Sequence, residues 1–238
     1  MARRRLLKKR TGKIGVPPGT LVHVGETRTA VPRLSVLRYR PERCEEQTAA
    51  SAAEVKAGLA PDSVTWLNLD GLQRIELLEE IGAAFDLHPL VLEDILNTDH
   101  RPKLEVYDGY LFLIAKMLTF NRERGEIVSE QISLILGPNY VLTFLEDPGD
   151  LFDGVRERLR GNGGRLRRHG ADFLAYSLFD QIIDHYFVLL EQIGEQLEQL
   201  EEALVDRPDR TLLHRIHHEK REMVLLRLPV RRSRMTLR

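Results

Sequence analysis

The chain has 238 residues, of which 42% are hydrophobic and 30% charged, enough for one sizeable core with an appended helical element. Its formal net charge is -1, but basic residues are concentrated at the two ends of the sequence and acidic residues between them. Twelve of the 35 basic residues lie in residues 1–13 and 227–238, which contain no acid, so the rest of the chain sets 23 basic residues against 36 acidic ones. Such an acidic body favours a cationic partner over a polyanionic one.

A single cysteine, Cys44, excludes an intramolecular disulfide and agrees with a reducing compartment. No apolar stretch of a secretory signal follows the N-terminus. The longest uncharged run, residues 131–145, is shorter than the ~20 residues that a spanning helix needs and contains Gly137 and Pro138. We therefore expect a soluble, cytoplasmic chain that does not itself cross a membrane.

The first predicted element is a basic, flexible arm over residues 1–16, which shows no hydrophobic period. Residues 17–165 alternate short β-forming runs with helical ones, which predicts an α/β/α sandwich with a mixed sheet. The Gly137-Pro138-Asn139 triplet has turn chemistry, so the last two strands should be antiparallel. The predicted strands are 21–24, 33–40, 64–69, 110–120, 127–136 and 140–145, and the predicted helices are 72–85, 89–97 and 151–160.

Residues 166–238 are predicted to form a long antiparallel helical hairpin. Apolar residues recur at three- and four-residue steps from 171 to 205, which predicts a helix of about 50 Å at 1.5 Å per residue. Pro208 ends that helix, and a second one is predicted from 209 past 226.

Carboxylates are the candidate functional groups, since no nucleophile elbow, phosphate-binding loop or HExxH pair is present. Glu93 and Asp94 lie on a short predicted helix, and Asp180 and Asp184 lie four apart on the long one. Acids at such spacing form a solvated face or, because like charges repel, a site for a hard divalent cation such as Mg²⁺. The absence of a dominant His and Cys set disfavours zinc and copper.

Four colinear motifs resemble those of CorA-type magnesium and cobalt transport proteins, a family of two-transmembrane metal ion transporters. They are FDLHPLVLEDILN at 85–97 with RPK at 101–103, SEQISLIL at 129–136, YSLFD at 176–180, and DHYFVLLE at 184–191. The resemblance extends over roughly residues 17–226.

This resemblance implies the cytoplasmic domain of a homopentameric channel, lying beneath the pore at the inner face of the cell membrane. It implies that Mg²⁺, or Co²⁺ or another divalent cation, binds between subunits and favours the closed state. Asp94 resembles the main ligand, Glu93 and Asp180 resemble members of a second site, and Asp184 is added beside Asp180. The sequence ends before the family's stalk and Gly-Met-Asn pore segments, so membrane contact is expected through missing C-terminal segments. It also departs from the family pattern after Arg227.

Three other interpretations remain open. One is the cytoplasmic domain of a zinc-transporting relative, and another is a helical adaptor without metal. The third, a metal-dependent hydrolase built on the same four carboxylates, lacks an identifiable nucleophile or substrate-binding loop. Because those groups are missing, we do not expect an enzyme. Nor do we expect a nucleic-acid-binding protein, because aromatic residues do not interleave with the basic patches.

Overall fold

The structure is a computed structural model of the chain. It describes residues 21, 32–48, 51–121, 126–147, 149, 151–161, 164–206 and 216.

A mixed sheet forms the middle of the fold. Its seven described strands are β1 (Arg33–Tyr39), β2 (Cys44–Thr48), β3 (Val64–Asp70), β4 (Lys103–Tyr107), β5 (Tyr110–Asn121), β6 (Glu126–Leu136) and β7 (Tyr140–Leu145). They lie in the order β2-β1-β3-β7-β6-β5-β4. The central β3 and β7 are parallel, and every other neighbouring pair is antiparallel. The mixed sheet and the antiparallel β6–β7 hairpin are therefore confirmed.

Helices cover both faces of this sheet. The described helices are α1 (Ala52–Ala57), α2 (Ile75–Phe85), α3 (Pro89–Leu96), α4 (Asp153–Arg160) and α5 (Ala171–Asp206), with a 3₁₀ turn at Arg165–Arg168. One hydrophobic core joins the sheet to α1, α2 and α3, and the other joins it to α4, the 3₁₀ turn and α5. Every residue of β3 and β7 is buried, as expected for strands covered on both faces. The predicted α/β/α sandwich is confirmed.

The long helix α5 confirms the prediction for residues 171–205 almost to the residue. Its 36 residues span about 54 Å at 1.5 Å per residue. Among the described residues, no helix combines the length and the apolar character needed to cross a membrane.

Several elements differ from the sequence-based expectation. The short elements β2, α1 and β4 were not predicted, and α2 begins at Ile75 rather than at residue 72. Gly71 has φ +88°, a turn that ends β3 and delays the helix. The arm over residues 1–16, nearly all of the predicted strand 21–24, and the second helix from 209 lie outside the described residues, so the hairpin and the domain limits remain predictions.

Candidate metal-binding site

Asp94 lies on α3, whose ends are well defined. Pro89 occupies its first turn, and the Nδ1 atom of His88 accepts a hydrogen bond from the backbone N–H of Leu90 at 3.2 Å. The backbone N–H of His88 donates to the hydroxyl of Tyr110 on β5 at 3.0 Å. Most apolar side chains of α3 face the core, although Leu90 is exposed. Glu93 and Asp94 lie half-buried at the margin of the buried face.

The C-terminal end of α3 is tied to the sheet by polar side chains. The last carbonyl groups of a helix lack partners within it. Here Nε2 of Gln131 on β6 donates to the carbonyl oxygens of Asp94 at 3.0 Å and Ile95 at 3.4 Å. The buried Lys116 of β5 donates from Nζ to the carbonyl oxygen of Thr98 at 2.6 Å. These contacts fix the position of Asp94 relative to the sheet.

Both carboxylate oxygens of Asp94 already have donors. Nε2 of His100 lies 2.7 Å from Oδ1, and Nζ of Lys103 lies 2.6 Å from Oδ2. The Asp94 side chain is 18% exposed. Burial acts to raise its pKa, but hydrogen bonds and positive charge from His100 and Lys103 outweigh burial and lower the pKa below the ordinary value. Asp94 is therefore a stable anion that can be reached from solvent.

Lys103 connects Asp94 to a second carboxylate. Its Nζ also lies 2.8 Å from Oε1 of Glu105, two residues further along β4. Burial acts to lower the pKa of Lys103, yet the two carboxylates raise it, so the side chain is an ammonium ion. Lys103 belongs to the RPK motif at 101–103, but its sequence context predicts no role for it. The available signal was a basic residue nine positions after Asp94.

Asp180 and Asp184 lie on α5, in the opposite layer of the sandwich. Asp180 is half-buried and Asp184 is exposed. Large apolar side chains are exposed on the same stretch of helix: Tyr176, Phe187, Val188 and Leu190.

A single chain does not bring the four predicted ligands together. α3 belongs to the core on one face of the sheet and α5 to the core on the other. Within the part of the chain that the structure describes, no three His, Cys, Asp or Glu residues converge to hold a metal ion. Mg²⁺ keeps several waters and needs only one or two carboxylates, so the ionised Asp94 suits it as one ligand among several. The assignment of Glu93, Asp94, Asp180 and Asp184 as ligands stays a prediction.

Most of the chain matches the model of one family of metal ion transporters. The family model described as "CorA-like Mg2+ transporter protein" matches residues 61–238, about three quarters of the chain. The chain belongs to this family.

Individual relatives agree with this membership. The chain is 43% identical over 220 residues to the cobalt/magnesium transport protein CorA of Thermotoga maritima, a match that covers 92% of this chain and 62% of that protein. It thus spans somewhat less than two thirds of that relative's length.

Solved structures share the fold. The soluble domain of CorA from Methanocaldococcus jannaschii matches with a TM-score of 0.62 at 17% identity, over 80% of this chain and 72% of that one. The cytoplasmic domain of ZntB from Vibrio parahaemolyticus matches with a TM-score of 0.58 at 13% identity, over 84% and 76%.

Proposed function

We propose that this chain is the cytoplasmic, Mg²⁺-sensing regulatory domain of a CorA-type channel for Mg²⁺ and Co²⁺. In the whole protein it would lie at the cytoplasmic face of the cell membrane, in a homopentamer. The proposal assigns ion transport to the complete protein and no enzymatic reaction to this domain.

One observation carries the proposal. Asp94 with Glu93, and Asp180 with Asp184, lie on helices of opposite layers, and each of these side chains retains some access to solvent. A ring of copies can bring α3 of one subunit against α5 of the next. Exposed apolar residues beside Asp180 and Asp184 favour such an interface, since apolar surface patches commonly mark protein contacts.

The mechanism follows from the charges. Mg²⁺ would supply two positive charges between carboxylates of adjacent subunits and so hold the interface together. When the cytoplasmic concentration of Mg²⁺ falls, Asp94 and the α5 carboxylates lose the ion that joins them, and the ring loosens. Because the ion binds the closed arrangement better, its concentration sets the population of closed channels.

Thermal unfolding with Mg²⁺ tests the proposal. We expect Mg²⁺ to raise the melting temperature of the wild type and to promote self-association in sedimentation velocity, because a ligand stabilises the state that binds it. Asp94→Asn should remove most of both responses. Glu79→Gln, at an exposed acid of α2, is the matched control and should retain them.

Parallel titrations separate the alternatives. A response to Zn²⁺ without one to Mg²⁺ would favour a zinc-transporting relative, and metal-dependent turnover of phosphoesters would favour a hydrolase. A Mg²⁺ response that survives in Asp94→Asn would contradict the proposed role of Asp94.

A further inference from the structure

The carboxylate of Asp94 is already occupied by cationic and polar side chains. His100 contacts Oδ1 at 2.7 Å and Lys103 contacts Oδ2 at 2.6 Å. A divalent ion that binds Asp94 directly competes with these donors for the same two oxygens and brings positive charge within a few ångströms of them. Lys103 is the donor with a fixed positive charge, so its displacement has the larger electrostatic consequence.

Lys103 already contacts a second carboxylate. Glu105 Oε1 lies 2.8 Å from its Nζ, and the other oxygen of Glu105 accepts a hydrogen bond from the hydroxyl of Tyr107 at 3.0 Å. Lys103, Glu105 and Tyr107 alternate along one face of β4, whose backbone pairs with β5. The ammonium is also 5.5 Å from the centre of the Phe112 ring. It is therefore tethered between two carboxylates on a fixed strand.

We propose that Lys103 is a tethered counter-ion that pairs with both Asp94 and Glu105 when no divalent cation is bound and transfers wholly to Glu105 when one binds. This inference rests on the proposed function and adds a residue that sets its threshold. Mg²⁺ at Asp94 repels an ammonium ion a few ångströms away, while Glu105 retains its attraction for it. Lys103 thus competes with the metal, and the strength of the Lys103–Asp94 pair sets the Mg²⁺ concentration required.

Neutralising Lys103 tests the competition. Lys103→Met keeps the length of the side chain and removes its charge, and we expect the half-saturating Mg²⁺ concentration to fall by about tenfold, the scale of a charge-assisted pair that is partly screened. Lys56→Met is the matched control for net charge. Lys56 is exposed, and its Nζ lies over the Phe85 and Tyr140 rings at 5.1 and 5.2 Å from their centres. Its substitution should change the half-saturating Mg²⁺ concentration, called the Mg²⁺ midpoint below, very little.

Glu105 tests the transfer. Glu105→Gln removes the second negative charge that attracts the ammonium ion, so Lys103 should hold Asp94 more firmly and the half-saturating Mg²⁺ concentration should rise several-fold. The same substitution in a Lys103→Met background should have almost no effect, because no ammonium remains to be transferred. An equal effect in both backgrounds would show that Glu105 acts only through its charge at a distance, and would overturn the transfer.

The titrations use the 238-residue chain with MgCl₂ as the probe, and they follow both the melting temperature and the NMR signal of the Lys103 ammonium. We expect that signal to shift as Mg²⁺ is added, with the same dependence on Mg²⁺ concentration as the melting temperature. Lys103→Gln serves as a second variant should Lys103→Met fold poorly in the absence of metal.

Two negative outcomes are distinct. In the first, Mg²⁺ raises the melting temperature of the wild type through Asp94, but the half-saturating Mg²⁺ concentration is unchanged in Lys103→Met and Lys103→Gln. That result overturns the role of Lys103 and leaves the sensing function intact. No response in the wild type or in either Lys103 variant overturns the metal site itself and the competition with it.

Discussion

At the scale of single residues, two aspartates show that the charge of the hydrogen-bond partner decides how burial affects acidity. Asp94 contacts Lys103 and His100, and its pKa falls below the ordinary value. Asp70, at the end of β3, is only 5% exposed and accepts a hydrogen bond from the neutral amide of Asn68 at 2.9 Å. Burial dominates there and raises the pKa of Asp70, although Asn68 and the charges of nearby arginines act against it.

The raised pKa of Asp70 gives a pH prediction with a definite sign. A group whose pKa is higher in the folded state contributes stability below its unfolded pKa, about 3.9 for aspartate, and loses that contribution as pH rises through the folded value. We therefore expect Asp70→Asn, which keeps an acceptor for Asn68, to gain stability relative to the wild type as pH rises above about 4. Urea unfolding at several pH values measures this difference.

The control for Asp70 is a charge change at the surface. Asp62 pairs with Arg40 at 3.1 Å, and its side chain is 65% exposed. Asp62→Asn should leave the pH profile of stability nearly parallel to that of the wild type. Parallel profiles for Asp70→Asn would show that burial does not govern Asp70.

The position of a candidate residue could be predicted only where a motif carried it, and its role stays a prediction. Asp94 could be placed on a short helix because Pro89 marks the start of that helix and apolar spacing marks its buried face. The pairing of Asp94 with Lys103 could not, because the two side chains lie on different elements, a helix and an edge strand. Tertiary packing decides which donors contact a carboxylate, and local sequence patterns do not predict it.

At the scale of elements, the predictable ones were long or strongly apolar. The strands β5 and β6, of 12 and 11 residues, are rich in β-forming residues, and β7 is apolar and buried throughout. The missed β2 and β4 are five-residue strands at the two edges of the sheet. Edge strands are short and polar because one side of each lacks a neighbour, so they resemble loops in sequence.

Helix packing depends on one glycine of α2. A Cβ atom added at Gly82 would lie 2.5 Å from Cδ1 of Leu92 on α3, whereas one added at Gly194 of α5 meets nothing within 4 Å. Both glycines lie inside helices, where alanine is intrinsically better by up to about 1 kcal/mol. We expect Gly194→Ala to raise the free energy of unfolding. The free energy of unfolding of Gly82→Ala should be about 1–3 kcal/mol lower than that of Gly194→Ala because of overpacking.

Chemical denaturation of the two alanine variants measures that gap directly. The Leu92→Ala background should narrow it, because the side chain that the new methyl group meets has been removed. Equal gains in the two single variants would show that α2 and α3 have room to separate.

At the scale of the whole molecule, a polar path crosses the sheet from the α5 layer to the α3 layer. The Tyr186 hydroxyl of α5 donates to the backbone carbonyl of Lys116 on β5. Lys116 Nζ in turn contacts Thr98, after α3, and Gln131 contacts the end of α3 itself. The two helices that carry the predicted ligands are thereby joined through the middle of the fold as well as by the apolar cores.

The layers could be predicted from the sequence, since alternating strands and helices predict helices on both faces of a sheet. The polar path between the layers could not be predicted. Polar residues such as Lys116 and Gln131 interrupt apolar strands, and nothing in their spacing shows which backbone groups they reach.

Gln131 offers the sharpest test of this path. Gln131→Leu keeps a buried side chain of similar size but leaves the carbonyl oxygens of Asp94 and Ile95 without their donor, so we expect a loss of about 2 kcal/mol in the free energy of unfolding. Because the end of α3 then moves more freely, the Mg²⁺ midpoint should rise. Gln199→Leu, at an exposed position of α5, controls for the change of polarity. Lost stability with an unchanged half-saturating Mg²⁺ concentration would show that Gln131 supports the fold without positioning Asp94. Unchanged stability would show that the hydrogen bonds from Gln131 to the end of α3 do not stabilise the fold.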